Sequence, residues 1–287
     1  MLLPGSRAPW TTVSTRPLPE LEEFLRDHEP AATAISDRYR RDRHRSRTRR
    51  GGRVHFWDAH AAVYQGSGGL LLPCGLDAVK RSSNATAALR RSLGVFNRTS
   101  MMMGPGPDVE TLEEMLSLHP ADAIVYDLLY LKRAAFPECT RPPIAGLAIS
   151  RPRPEEWRSL LQLQIAYEVE EVLLPGREQE LNRSRATLVD SLQNQLVLVA
   201  TLHGTVVGRV ATNARGFGMD QIGGVYTAPA WRGRGVARWL MQHLLALLRE
   251  EGRDATLFVK HNNAAAQALY RGLGFRFVSP FRISYYP

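Results

Sequence analysis

Residues 225–240 read VYTAPAWRGRGVARWL. The pattern predicts a strand that ends at Thr227, then the turn R-G-R-G-V-A from Arg232 to Ala237, then an amphipathic helix. Gly233 and Gly235 permit close backbone approach and unusual dihedral angles. The first helical turn leaves N–H groups without partners, and the helix dipole stands behind them. Such a turn cradles a pyrophosphate. It is not a P-loop, which needs Gly-Lys-Ser/Thr, nor a G-x-G-x-x-G following an early strand.

Working outward, the helix of residues 235–252 carries Ala237, Leu240, Met241, Leu244, Leu247 and Leu248 on one face and stops at Gly252. A strand at 255–261 leads to HNNAAAQALYRGLGF, residues 261–275. Asn263 is a good helix cap, and Tyr270 follows two helical turns later on the same face. The intervening alanines keep that helix slim, so something can lie against it. Upstream, residues 195–213 predict a β-hairpin around His203-Gly204, preceded by a strand at 147–150 and helices over 153–164 and 178–193. The order is β-α-α-β-β-β-α-β-α-β.

Together, the two elements resemble the GNAT superfamily of N-acetyltransferases. The resemblance covers about residues 144–287. The acyl-CoA loop pattern Q/R-x-x-G-x-G/A is met by Arg232, Gly235 and Ala237, and N-x-x-A-x-x-x-Y by Asn263, Ala266 and Tyr270. The resemblance implies a mixed α/β (α+β) sheet with flanking helices and acetyl-CoA as co-substrate. Backbone groups of Val225, Tyr226 and Thr227 would meet the acetyl and pantetheine portions. Gly233, Arg234, Gly235, Val236, Ala237 and Arg238 would hold the pyrophosphate, with Arg232 opening the loop. Asn263 would contact the pantetheine arm, and Tyr270 would protonate the leaving thiolate. The implied reaction is direct attack of a primary amine, on a small molecule or a protein, in a ternary complex.

Relatives that acetylate protein N-termini carry a glutamate base at the place of Phe258, where phenylalanine cannot serve. Asp220, Glu168, Glu170 and Glu171 are the substitute candidates for the general base, and a water chain or an amine that is already neutral would need no dedicated side chain.

Three segments are expected: a partly flexible 1–53 with a short helix at 17–29, a degenerate GNAT-like α/β domain at 54–143, and the acetyltransferase domain at 144–287. In the first half, strands are predicted at 54–65, 69–73, 95–104 and 123–132, with helices at 77–94 and 105–119. MMMGPGPDVETL, residues 101–112, resembles the Met-Gly-Pro turn in domains attached to some bacterial GNAT proteins. This half lacks the acyl-CoA loop pattern, so its expected part is packing and a share of the acceptor pocket, without CoA. SDRYRRDRHRSRTRRGGR, residues 36–53, holds nine arginines. It reads either as a solvated helix end and loop or as an RNA-binding arm. With Tyr39 its single aromatic, it offers no ladder for base stacking.

Composition sets outer bounds. The 287 residues carry 37 Lys plus Arg against 28 Asp plus Glu, a net charge of +9, with 44% hydrophobic residues. This is ordinary globular composition and rules out collagen-like or wholly disordered chains. Apolar runs are far shorter than the roughly 20 residues of a bilayer-spanning helix, and no secretory leader is visible, so the expectation is a cytoplasmic protein without membrane contact. Cys74 and Cys139 lie far apart, and the histidines lack H-E-x-x-H spacing, so no metal is expected. The alternatives from other classes are a silent acyl-CoA sensor, an RNA-interacting protein using the arginine-rich arm, and a scaffold subunit. Acceptor, acyl chain length and oligomeric state stay open.

Overall fold

The computed structural model describes residues 10–14, 16–43, 51–80, 82–94, 99–174 and 176–287. The first half of the chain runs β1 (Thr11–Val13), α1 (Pro19–Asp27), α2 (Glu29–Arg43), β2 (Arg53–Trp57), β3 (Ala61–Gln65), β4 (Leu70–Cys74), α3 (Asp77–Lys80), α4 (Ser83–Leu93), β5 (Met101–Pro105), α5 (Gly106–Leu116) and β6 (Asp122–Leu131). The second runs β7 (Leu147–Ser150), α6 (Trp157–Tyr167), α7 (Leu181–Asn194), β8 (Val197–Leu202), β9 (Thr205–Arg215), β10 (Met219–Thr227), α8 (Val236–Glu250), β11 (Asp254–Lys260), α9 (Ala264–Gly272) and β12 (Arg276–Tyr285).

All twelve strands join one mixed sheet in the order β1-β2-β3-β4-β5-β12-β6-β11-β10-β9-β8-β7. Exchanging each strand for its counterpart in the other half reverses this order and leaves every pairing sense unchanged. β4 and β5 are parallel, as are β10 and β11; every other neighbouring pair is antiparallel. The two halves are therefore topological copies that have traded their last strands. β6 lies on β11 of the second half, and β12 lies on β5 of the first. One shared sheet replaces the separate preceding domain expected from the sequence, because the exchanged strands meet at its centre, Tyr126 opposite Phe281.

The apolar run of β8 is buried on both faces, as expected for an inner strand covered twice. Leu198 and Ala200 pack in the cluster under α8, whereas Val197 and Val199 pack with α6 and α7. α8 buries Trp239 and Leu245 beyond its predicted stripe. The segment between β6 and β7 crosses its outer side, where Trp239 Nε1 donates to the Thr140 carbonyl at 3.0 Å.

Four local expectations change. The strand predicted over 54–65 is the hairpin β2–β3. The helix predicted over 77–94 is two helices, since Ser82 caps a new one by accepting the Ala85 N–H. FRFVSPFRISYY, residues 275–286, predicts the last strands in the plural, and residues 276–285 form a single one. Pro280 is tolerated there because it has a neighbour on one side only, Asp127 of β6; pairing with β5 begins at Phe281. Part of the arginine-rich run is α2, whose Thr33, Ser36 and Asp37 are buried. Its arginines turn inward: Arg40 donates to the Arg215 carbonyl at 3.0 Å, and Arg41 pairs with Asp37 at 3.5 Å and Asp190 at 3.3 Å. Neither the solvated nor the RNA-arm reading describes these residues; 44–50 lie outside the described residues. Among the described residues, no helix is long and apolar enough to cross a membrane.

α2 docks on the β9–β10 turn of the other half. The Glu29 carboxylate, 5% exposed, accepts the N–H groups of Phe217 and Gly218. Burial pushes its pKa up, against these hydrogen bonds. Glu29→Ala leaves two turn amides without acceptors and is expected to lower stability by about 2 kcal/mol, measured by urea unfolding.

Candidate active site

β10 carries Gly223-Gly224 in its middle, and there its pairing with β9 slips. Gly224 has φ +60°, a conformation costly for other residues, and the shift bends the strand. Parallel pairing of β10 with β11 ends at Ile222 opposite Leu257. Beyond that point the two strands part. Their unpaired edges open a cleft of about 280 Å³. Gly223, Gly224 and Val225 form one wall, and Phe258, Val259 and Lys260 form the other. Asn263, Ala266 and Tyr270 of α9 close it on one side.

α8 begins at Val236, after the turn that follows β10. Gly233 and Gly235 have φ +72° and +82°, so both glycines are required by the turn. Gly235 is the cap residue and no side chain caps the helix. Among the described residues, no acceptor takes the N–H groups of 233–238. The dipole of a long helix therefore ends in free donors, an arrangement suited to an anion. The side chains of the turn are anchored away from these donors. Arg232 donates to the Thr227 carbonyl at 3.0 Å and to Glu170 at 2.6 Å, Arg234 stacks on Trp231, and Arg238 donates to the Gly272 carbonyl. Val236 is buried, and Ala237 continues the first turn.

The matching turn of the first half, between β4 and α3, is built differently. Asp108 accepts the Gly75 N–H at 3.0 Å and the Leu76 N–H at 2.6 Å. A carboxylate of the chain itself holds the donors that a phosphate would need. By strand order the Gly104–Pro107 turn corresponds instead to the start of α9.

The structure brings Asn263, Tyr270 and Glu171 together and separates the other carboxylates. Asn263 caps α9, accepting the Ala266 N–H at 3.1 Å, and reaches Glu171 at 3.4 Å. Lys260 holds Glu171 from the other side at 3.4 Å. Tyr270 is 7% exposed, and burial raises its hydroxyl pKa, so it remains a proton donor at neutral pH. Phe258 stacks on Phe281 at 4.8 Å and meets the Tyr126 ring edge-on, which explains an aromatic residue there. Glu170 binds Arg232 and the Tyr226 hydroxyl; Arg232 holds its carboxyl below the usual range. Glu168 accepts from Gln164, Gln179 and Ser184. Asp220 is 0% exposed, at the opposite end of β10, and is locked between Arg215 at 2.8 Å and Arg253 at 2.6 Å.

The exchanged strands complete the cleft. Met101 and Met103 of β5, Tyr126 of β6, and Ile283 and Tyr285 of β12 line it. Helix α6 ends in a π-helical turn, Glu168–Val172, a widening frequent at functional sites. It aims Tyr167, Glu171 and Val172 at the cleft. A second cavity of about 500 Å³ shares Tyr167, Asn213, Gly223 and Gly224 with the first and extends under α2 and α7. Arg38, Gln164 and Arg209 line it. The motifs do not point to these residues. Arg209 left one signal, a lone charge inside the apolar run VVGRVA. Among the described residues, no cluster of three His, Cys, Asp or Glu side chains could hold a metal.

The model of the Acetyltransferase (GNAT) family matches residues 157–275. Comparison with curated sequences finds no match. The fold is similar to the crystal structure of a Drosophila protein at 12% identity, over 96% of this chain and 99% of that one, with TM-score 0.68. It is similar to an acetyltransferase from the GNAT family of Colwellia psychrerythraea at 9% identity, over 96% and 100%, with TM-score 0.54. A tandem GNAT protein from the clavulanic acid biosynthesis pathway aligns at 16% identity, over 84% and 81%, with TM-score 0.51. The GNAT family model thus covers the second half of the sheet, and the fold as a whole is shared with these structures over most of the chain.

Asp220 is a strut between two arginines rather than a group facing the cleft. Asp220→Asn is expected to cost about 3 kcal/mol of stability by chemical denaturation, because it takes the ion pair from the mostly buried Arg253, while Arg215 keeps Glu251.

Proposed function

We propose that this protein is an acetyl-CoA-dependent N-acetyltransferase that moves an acetyl group to a primary amine by direct attack in a ternary complex. The observation that carries this reading is the parting of β10 from β11 ahead of an uncapped helix N-terminus. The free amides of 233–238 fit the pyrophosphate of CoA. The cleft between the unpaired strand edges fits a narrow arm ending in a thioester, with Asn263 along it and Tyr270 at its depth.

The residues then divide the work. Backbone groups of Val225, Tyr226 and Thr227 offer hydrogen bonds along the open edge of β10, and a fixed N–H there stabilises the oxyanion as the carbonyl is attacked. The amine must be neutral to attack. Glu171, held by Lys260 and Asn263, is the candidate carboxylate that lines the cleft and is placed to take its proton. The N–C bond forms, the C–S bond breaks, and Tyr270 protonates the departing thiolate. Arg232, fixed by Glu170 and the Thr227 carbonyl, holds the end of β10 to the start of the loop. In this reading the first half supplies walls for both cavities and no second CoA site, since Asp108 already fills the matching turn.

Thermal melting of the full chain with and without acetyl-CoA, followed by thiol release across a panel of amines, tests the proposal. A raised melting temperature with turnover is expected; no shift would overturn it, and a shift without turnover on any amine would identify a sensor. Gly235→Trp places a large side chain at a φ of +82°, where a Cβ already lies 3.2 Å from Pro143. It should weaken acetyl-CoA binding by about tenfold or more, read from the ligand-dependent melting shift. Tyr270→Phe should lower kcat by about a hundredfold with little change in acetyl-CoA affinity. Unchanged kcat would remove Tyr270 from the acid role.

A further inference from the structure

The second cavity is lined by charges of both signs, and they are not equally satisfied. Each carboxylate already has partners. Asp37 holds Arg41 and the Arg215 N–H. Asp42 accepts from the Gly52 N–H and the Tyr64 hydroxyl. Asp190 meets Arg41 and Asn194, and Glu168 accepts from three side chains. Glu168 is held by neutral donors only, and its charge reaches Arg209. Arg209 is 5% exposed; its Nη1 donates to Gln164, and its Nε is buried with no partner. Among the described residues no carboxylate pairs with it. Arg38 donates to its own helix at the Ala34 carbonyl and lies within reach of the charges of Asp37 and Asp42. A buried guanidinium stays charged, and Arg209 keeps a buried donor with no partner, so it is able to take an anion that enters the cavity. The planar fork of arginine suits a carboxylate in particular.

Position then sets the size of the ligand. Arg209 lies on β9, directly across from Tyr226 of β10. Its Nη2 is 3.3 Å from where a Cβ on Gly224 would stand. Gly224 belongs to the neck shared by the two cavities. A carboxylate held by Arg209 therefore sits at the neck itself, and a group one carbon away already enters the cleft that holds Tyr270. We propose that the acceptor is a free α-amino acid, its carboxylate held by Arg209 and its amine directed through the Gly223–Gly224 neck. This rests on the acetyltransferase reading above. The product is an N-acetyl amino acid: the amine nitrogen gains the acetyl carbon and loses a proton, and the CoA sulfur gains one. The far walls, Thr187, Ser191, Gln195 and Thr212, are polar and favour a hydrogen-bonding side chain.

The experiment pairs each proteinogenic L-α-amino acid with the amine left after removal of its carboxylate, and adds O-phosphoethanolamine. The full chain is assayed for acetyl-CoA-dependent thiol release and, separately, for a melting shift with each compound alone. The expected result is a preference of at least about a hundredfold in kcat/KM for one or more amino acids over their decarboxylated partners. Arg209→Met should bring that ratio close to one, and Arg209→Lys, which keeps the charge without the fork, should retain part of it. Decarboxylated amines used as well as the amino acids, a ratio unmoved in Arg209→Met, or preference for the phosphate ester would each overturn the proposal. The binding arm separates the two readings. An Arg209-dependent melting shift with an amino acid, alongside none with acetyl-CoA, would uphold the carboxylate site and reject the transferase. A shift with acetyl-CoA but none with any amino acid, and no turnover of them, would do the reverse.

Discussion

The pairing of β6 with β12 at the centre of the sheet holds the rest of the molecule in place. Each strand belongs by chain order to one half and by hydrogen bonding to the other. A strand edge with unpaired N–H and C=O groups must find a partner or water, and here each half finds its partner in the other. Neither half closes its own sheet. The cleft beside β11 is consequently walled by residues of both halves, Tyr126 from β6 on one side and Tyr285 from β12 on the other. The docking of α2 on the β9–β10 turn through Glu29, Asp37 and Arg40 repeats the same dependence at the periphery.

Two copies of one topology carry different chemistry because of a few side chains. In the second half the parallel pair β10 and β11 parts ahead of a helix whose first amides are free. In the first half the corresponding amides of Gly75 and Leu76 are held by Asp108. The divergence is complementary. The first half, with its phosphate turn closed, lends α2 to the wall of the second cavity. Arg38 comes from that helix and Arg209 from β9, so the candidate acceptor site straddles the two copies.

Much of this was legible in the chain. The order β-α-α-β-β-β-α-β-α-β of the second half, the glycine turn before α8, and the Asn263–Tyr270 spacing all depend on contacts within a few residues, where periodicity and backbone preference decide. The likeness of the first half to the second was also legible from its strand and helix order. The four carboxylates were not sorted by the sequence. Glu168, Glu170 and Glu171 are near neighbours in one acidic stretch, yet the π-helical turn sends them to three different sets of partners. The arginine-rich run misled for a related reason. Charge density predicts solvent, but Arg40 and Arg41 find their partners at Arg215 and Asp190, far along the chain.

The chain alone specified the local elements, the glycine turn at 232–238 and the absence of its pattern in the first half, because each is a matter of nearest neighbours along the backbone. The tertiary structure alone decided that the last strands are exchanged, that Asp108 occupies the first-half turn, and that Arg209 lies buried beside Gly224. Those depend on which distant groups the closed sheet brings within hydrogen-bond reach. Desolvation then makes a donor without a partner significant, a property no single stretch of sequence carries.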